Sequence, residues 1–142
     1  MAETDQLFVY GTLRRHSRHP MAVWLRSRAA WIAEAGMPGV LYDCGPYPVA
    51  IAGSGLVLGD LYCLRDPQPT LARLDDYEGC ANAGDDLYCR LPVTVRLGAK
   101  SELKAMAYLA MSPPQNAHAI ASGDWLAHIQ TRGPVVRASA SR

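Results

Sequence analysis

Two short stretches of this 142-residue chain carry residue types that could do chemistry. The first is Leu74-Asp75-Asp76-Tyr77-Glu78-Gly79. Glu78 falls in what reads as the last turn of a helix, just before a stopping glycine. A carboxylate there meets the negative end of the helix dipole. Asp75, three residues earlier, puts a like charge on the same helix face. Both effects disfavour ionised Glu78 and are expected to raise its pKa, and burial would push the same way. A carboxylate tuned like that can take and give protons near neutrality. The bland alternative is a solvated acidic helix end made of Asp75, Asp76 and Glu78.

The second stretch is Leu7-Phe8-Val9-Tyr10-Gly11-Thr12-Leu13. A run of β-formers that stops at glycine reads as a short buried strand entering a turn. Gly11 either permits a positive φ or lets another group approach the backbone closely. Successive N–H groups freed at the end of a strand make a small anion-binding concavity. The alternative here is a plain glycine turn.

The elements that must hold these stretches follow from periodicity. Pro20 suits a first helical turn, and Met21, Trp24 and Leu25 share one face of a short helix ending near Ala30. Asp66 and Pro67 open a second helix, with Leu71, Leu74 and Tyr77 on its apolar face and Gly79 as its stop. Ser122 is placed to cap a third, with Trp125, Leu126 and Ile129 facing inward and Gly133-Pro134 ending it. Between them lie short β runs at 6–10, 31–35, 40–42, 49–51 and 56–64, with Gly59 marking a bulge or a close backbone approach. Residues 87–97 alternate at period two, with Pro92 pointing to an edge or bulge, and 103–111 returns after a hairpin turn. Many short strands and about three short helices, without βαβ alternation, predict an α+β fold with a mixed barrel or strongly curved sheet. One domain spanning 1–142 is expected, ordered over about 6–133 with a loose C-terminal tail.

Composition excludes several classes. A net charge of +1 supplies no field for nucleic acid or acidic membrane. No apolar run approaches a membrane span, and the start of the chain has no signal-peptide pattern, so a cytoplasmic protein is expected. Cys44, Cys63, Cys80 and Cys89 lack metal-site spacing, and His16 and His19 lack a third ligand, so no metal is expected. Arg14, Arg15, His16, Arg18 and His19 make a basic loop, either solvated or able to attract an anion.

The order and spacing of the motifs resemble the γ-glutamylcyclotransferase-like family. They are Tyr10-Gly11-Thr12-Leu13, Gly39-Val40-Leu41-Tyr42-Asp43, Gly45-x-Tyr47-Pro48, Gly59-Asp60-Leu61-Tyr62, Leu74-Asp75-x-Tyr77-Glu78-Gly79, Tyr88-x-Arg90 and Ser122-Gly123-Asp124-Trp125. The resemblance spans about residues 6 to 130 and implies a small cyclotransferase-like mixed β-barrel. Thr12 resembles the branch acting on γ-glutamyl amines or amino acids, whereas the glutathione-specific branch usually shows Ser there.

The reaction implied by the resemblance is internal aminolysis. The α-amine of a γ-glutamyl compound attacks its own γ-carbonyl, giving 5-oxoproline and a free amine or amino acid. Glu78 would be the catalytic proton shuttle. Tyr10, Gly11, Thr12 and Leu13 would bind substrate, their N–H groups holding the glutamyl carboxylate or the developing oxyanion. Tyr88 and Tyr108 either line the pocket or are half-buried strand tyrosines. No cofactor is implied, and the expected partner is a small γ-glutamyl molecule. Two other readings stand beside this one: a non-catalytic module sensing a small metabolite, and a thiol enzyme using Cys80. The leaving group and the oligomeric state are left open by these residues.

Overall fold

The computed structural model describes residues 5–78, 89–98 and 101–133. Its elements are β1 (Gln6–Val9), α1 (Pro20–Arg28), β2 (Ala29–Asp43), β3 (Pro48–Leu64), α2 (Pro67–Glu78), β4 (Cys89–Leu97), β5 (Ser101–Leu109), β6 (His118–Ala119) and α3 (Trp125–Arg132). The strands run β3-β1-β5-β4-β2-β6, and a β2–β3 pairing closes the first five into a barrel with β6 outside it. The fold is α+β and mixed: β1 is parallel to β5, and every other pairing is antiparallel.

The short runs expected between 31 and 64 are joined into a single long hairpin. β2 has 15 residues and β3 has 17. Register shifts between Trp31 and Ala33 and between Pro38 and Val40 absorb the irregular residues without ending the strand. Extra residues at bulges bend a strand, and such bends let one hairpin curl round a barrel. At Gly59 an added Cβ would lie 2.2 Å from the Val9 carbonyl oxygen, so glycine there allows β1 to close against β3.

Leu7, Phe8 and Val9 of β1 are all apolar because the strand is buried there on both faces. Leu7 and Val9 join one cluster with Met21, Leu25, Leu71 and Leu74 from α1 and α2. Phe8 and Tyr10 join the other with Met37, Leu61, Val95 and Trp125. The helices serve this core as their periodicity predicts, with α1 ending at Arg28 and α2 at Glu78. The cap of α3 is Asp124, not Ser122: the Asp124 carboxylate accepts from the Leu126 and Ala127 N–H groups, and the Ser122 hydroxyl accepts from the Asp124 N–H. Pro92 disturbs no register, because β4 is paired there with β5 alone and meets β2 only at Arg96–Gly36. Among the described residues no helix is long and apolar enough to cross a membrane.

Candidate active site

β1 ends at Val9, paired with Asp60 of β3. The chain then turns tightly, the Arg14 N–H donating to the Gly11 carbonyl at 3.1 Å. Close approach, not φ, demands glycine at position 11. An added Cβ would lie 2.7 Å from Pro48 Cγ and 2.9 Å from Cδ, and Gly11 is not among the positive-φ glycines. The Thr12 and Leu13 N–H groups donate to no partner among the described residues.

This loop forms one wall of a small cavity, about 40 Å³, with Tyr47 and Pro48 opposite, Glu78 from the end of α2, and Tyr108 from β5. Tyr10, Gly11, Thr12, Leu13, Glu78 and Tyr108 are therefore brought together around one space. Glu78 itself is half-buried. Tyr88, Gly79 and Cys80 lie outside the described residues.

The two tyrosine hydroxyls have different jobs. Tyr10 donates its proton to the Tyr108 carbonyl at 2.6 Å and accepts from the Ala50 N–H at 3.2 Å. Its proton is committed to the backbone, so Tyr10 shapes the wall. Tyr108 donates to Asp75 Oδ1 at 2.6 Å. Burial pushes the Tyr10 phenol far above its ordinary value; the Ala50 N–H pulls it back in part, and the Glu78 charge adds to the rise. Burial does the same to Tyr108, reinforced by its hydrogen bond to Asp75 and by the Asp75 and Glu78 charges, and opposed by Arg90. Both are neutral donors at physiological pH. Asp75 is the like charge expected beside Glu78, but it does not act alone. Arg90 Nε lies 3.2 Å from its Oδ1, on the same oxygen that Tyr108 bonds. Opposite charge at that range offsets part of the repulsion Asp75 exerts on Glu78.

The basic loop behind the cavity is a correction to the sequence reading. Arg14 is buried, not a solvated recruiter of anions. Its Nε donates to Asp60 Oδ2 at 3.0 Å and its Nη1 to Asp124 Oδ1 at 3.2 Å, while Nη2 lies 3.9 Å from the exposed Glu34 carboxylate. Asp60, equally buried, also accepts from the Arg15 N–H at 2.9 Å and from Trp31 Nε1 at 3.1 Å. The Arg15 guanidinium stacks on Trp31 at 3.7 Å. His19 caps α1 through Nδ1, and its Nε2 lies 3.4 Å from the Tyr77 hydroxyl. A second cleft, about 360 Å³, opens beside Arg14, Glu34, Arg96 and Asp124. It is larger, but its most buried cation is already paired, and Glu78 does not line it.

The opposite wall is clamped from α3. Arg132 Nη1 bonds both Asp43 oxygens, at 3.0 and 3.1 Å, and the Gly45 carbonyl at 2.6 Å. His128 Nε2 lies 2.7 Å from Asp43 Oδ2, and the Gly45 N–H donates to Asp43 Oδ1 at 2.7 Å. Burial pushes the Asp43 carboxyl up, but the hydrogen bonds from His128, Gly45 and Arg132 outweigh it and hold the group below its ordinary value. The clamped turn leads into Tyr47 and Pro48.

Sequence reasoning assigned no role to Asp60, Asp124, Tyr47 or Pro48. For Asp60 a signal exists: it is a lone charge inside the apolar run Leu56 to Leu64, and such charges are rarely buried unless paired. As a helix cap Asp124 carries a local mark, but its ion pair with Arg14, like the meeting of Tyr47 and Pro48 with the Gly11 loop, joins distant segments, for which one chain carries none.

A family model described as "Gamma-glutamyl cyclotransferase, AIG2-like" matches residues 7–127. The chain is 30% identical over 128 residues to the γ-glutamylcyclotransferase family protein YtfP of Escherichia coli (strain K12), covering 85% of this chain and 96% of that protein. It is 31% identical over 122 residues to YtfP of Citrobacter rodentium (strain ICC168), covering 85% and 95%. In structure it is similar to an AIG2-like protein from Mus musculus, with TM-score 0.76 at 18% identity, over 99% of this chain and 100% of that one.

Proposed function

Because the chain belongs to the AIG2-like γ-glutamyl cyclotransferase family, we propose that it converts a γ-glutamyl amine or amino acid to 5-oxoproline and the free amine. The observation that carries this reading is the meeting of Glu78 with the Thr12 and Leu13 segment, whose N–H groups have no partner among the described residues, around one cavity. The substrate holds nucleophile and electrophile in one molecule. Well-oriented intramolecular reactions reach effective molarities of about 10⁵–10⁸ M, so holding the folded-back conformer supplies much of the rate.

Glu78 takes a proton from the α-ammonium. The freed amine attacks the γ-carbonyl carbon, the attacking nitrogen sheds its second proton to solvent as the new C–N bond closes a five-membered lactam, and the bond to the leaving nitrogen breaks. The proton held by Glu78 passes to that nitrogen. One carboxylate serves both transfers, and the electron pair of the broken bond stays on the departing amine. The Thr12 and Leu13 N–H groups hold the anionic part of the substrate, and the neutral Tyr108 hydroxyl, bonded to Asp75, sets the wall beside Glu78.

The test is incubation with a panel of γ-glutamyl amines and amino acids, read by mass spectrometry. Formation of 5-oxoproline with equimolar amine is the expected result. Tight binding of such a compound without turnover would replace this reading with that of a metabolite-binding module.

A further inference from the structure

We infer that Asp60 is a positioning residue for the substrate loop, holding Gly11–Leu13 in the conformation that binds the glutamyl carboxylate. The inference rests on the reading above. Asp60 touches neither the cavity nor its contents; it acts through the residues that follow the loop.

Asp60 reaches the loop at both ends. Its backbone stands opposite Val9, the last residue before the loop, in the β1–β3 register. Its carboxylate takes the Arg14 Nε and the Arg15 N–H, the first two residues after the loop, at 3.0 and 2.9 Å. The Arg14 N–H in turn closes on Gly11. Residues 9 to 15 thus form a ring whose closing group is one carboxylate. Trp31 Nε1 bonds the other oxygen, which fixes the rotation of the carboxylate. Arg14 is tied onward to Asp124, the cap of α3, so the loop is also braced against the helix whose other end clamps the Asp43 turn.

The chemistry of this arrangement suits a carboxylate alone. At least three donors converge on Asp60, and charge-assisted bonds of this kind are the strong ones. An amide in its place keeps one accepting oxygen and turns an NH₂ toward a donor, so at least one bond becomes a repulsion. The loop would then sample other conformations, and its N–H groups would meet the ligand less often.

A specific kinetic signature follows. The α-carboxylate of a γ-glutamyl substrate carries the same charge before and during cyclisation. Donors that hold it bind ground state and transition state alike, so loosening them raises KM and spares kcat. Asp60→Asn should raise KM by at least about 10-fold with kcat within about 3-fold of the parent, the pattern of lost uniform binding. Trp31→Phe removes only the bond that orients the carboxylate and keeps an aromatic ring under Arg15. It should raise KM by roughly 3-fold with kcat unchanged.

The experiment pairs these kinetics with amide NMR of the ligand-free proteins. The Gly11, Thr12 and Leu13 signals should be single in the parent and broadened or multiple in both variants. Unchanged KM in folded Asp60→Asn, or a fall in kcat at constant KM, would overturn the inference. If Asp60→Asn does not fold, Trp31→Phe decides on the same criteria. If the parent forms no 5-oxoproline from any γ-glutamyl compound, the functional reading fails instead; the loop signals then decide the role of Asp60, and unaltered signals in the variants reject it.

Discussion

The two sides of residues 11–15 are built in opposite ways. On the cavity side, the Thr12 and Leu13 N–H groups donate to nothing among the described residues. On the other side, Arg15, Trp31 and Asp124 bond to the buried Arg14–Asp60 pair in one network. A buried donor left without a partner costs about 1–3 kcal/mol. Charge-assisted bonds are roughly twice as strong as neutral ones, so a network of them offsets that cost. On the reading proposed above, labour is divided: strong electrostatics order the loop from behind, and the donors on the cavity side are kept for the substrate.

The same contrast separates the two clefts. The larger one, beside Arg14, has charges that already answer one another. The smaller one is lined by Glu78 and by Thr12 and Leu13, whose N–H groups have no partner among the described residues. On the proposed reading the acid–base chemistry belongs to the smaller cleft, so size alone would mislead.

Breaking the bonded side should have the largest effect on stability. Removing one member of a buried ion pair costs about 3–5 kcal/mol. Asp60→Ala should sit near the lower end, because Arg14 retains Asp124, and thermal unfolding would read it. An unchanged melting temperature would mean that the network does not hold the loop. Breaking the cavity side should act on rate instead. Glu78→Gln keeps the shape of the side chain and should lower turnover by at least about 10²-fold, the low end for a general acid–base. Its thermal midpoint and its affinity for 5-oxoproline should stay near the parent's. Turnover at the parent rate would remove Glu78 from the mechanism.

The remaining tests sharpen the boundary between the two sides. Gly11→Ala drives a methyl into the Pro48 ring, a rigid neighbour at 2.7 Å. Overpacking of this kind costs about 1–3 kcal/mol, and here it would also push apart two walls of the cavity, so KM should rise along with the loss of stability. A variant as stable and as tight-binding as the parent would show that Pro48 yields freely. Asp75→Asn removes a negative charge from the helix face that carries Glu78. Ionisation of Glu78 becomes easier, so the acid limb of the pH–rate profile should move to lower pH with the maximal rate little changed. A shift toward alkali would contradict this account of the pair.

The smallest effect belongs to the Asp43 clamp. Its carboxyl is held below the ordinary 3.8. A depressed folded value gives stability that is present above the unfolded pKa and lost as pH falls through the folded one. Asp43→Asn should therefore be slightly less stable than the parent near neutrality and show a shallower loss below about pH 4. Melting temperatures across that range check it, and parallel curves for the two proteins would count against the clamp.

How much of this was legible in one chain depended on whether the cause was local. β1, its stop at Gly11, the period-two pattern of β4 and the apolar faces of the helices could be read directly. Each follows from the alternation of side chains or from residues within a few positions. The same is true of Glu78 on α2, which the helical period of Leu71, Leu74 and Tyr77 carries to that helix. The long β2–β3 hairpin was not legible, because glycines and Pro38 look like strand ends until bulges are known to carry the strand through them. Arg14 was misread for a related reason. A cation in a basic loop is usually solvated, and only the approach of Asp60 and Asp124, 46 and 110 residues away, makes its burial favourable.

Sequence by itself determined the family motifs, the short apolar strand, the glycine after it and the acidic end of α2, since those are matters of residue type, order and period. Tertiary structure alone decided that Gly11 answers to Pro48, that Asp75 is shared between Tyr108 and Arg90, and that Arg14 faces inward. The physical reason is that a charge or a close contact has no fixed meaning along the chain. Its energy depends on which distant groups share its surroundings, and the closure of the barrel sets those surroundings.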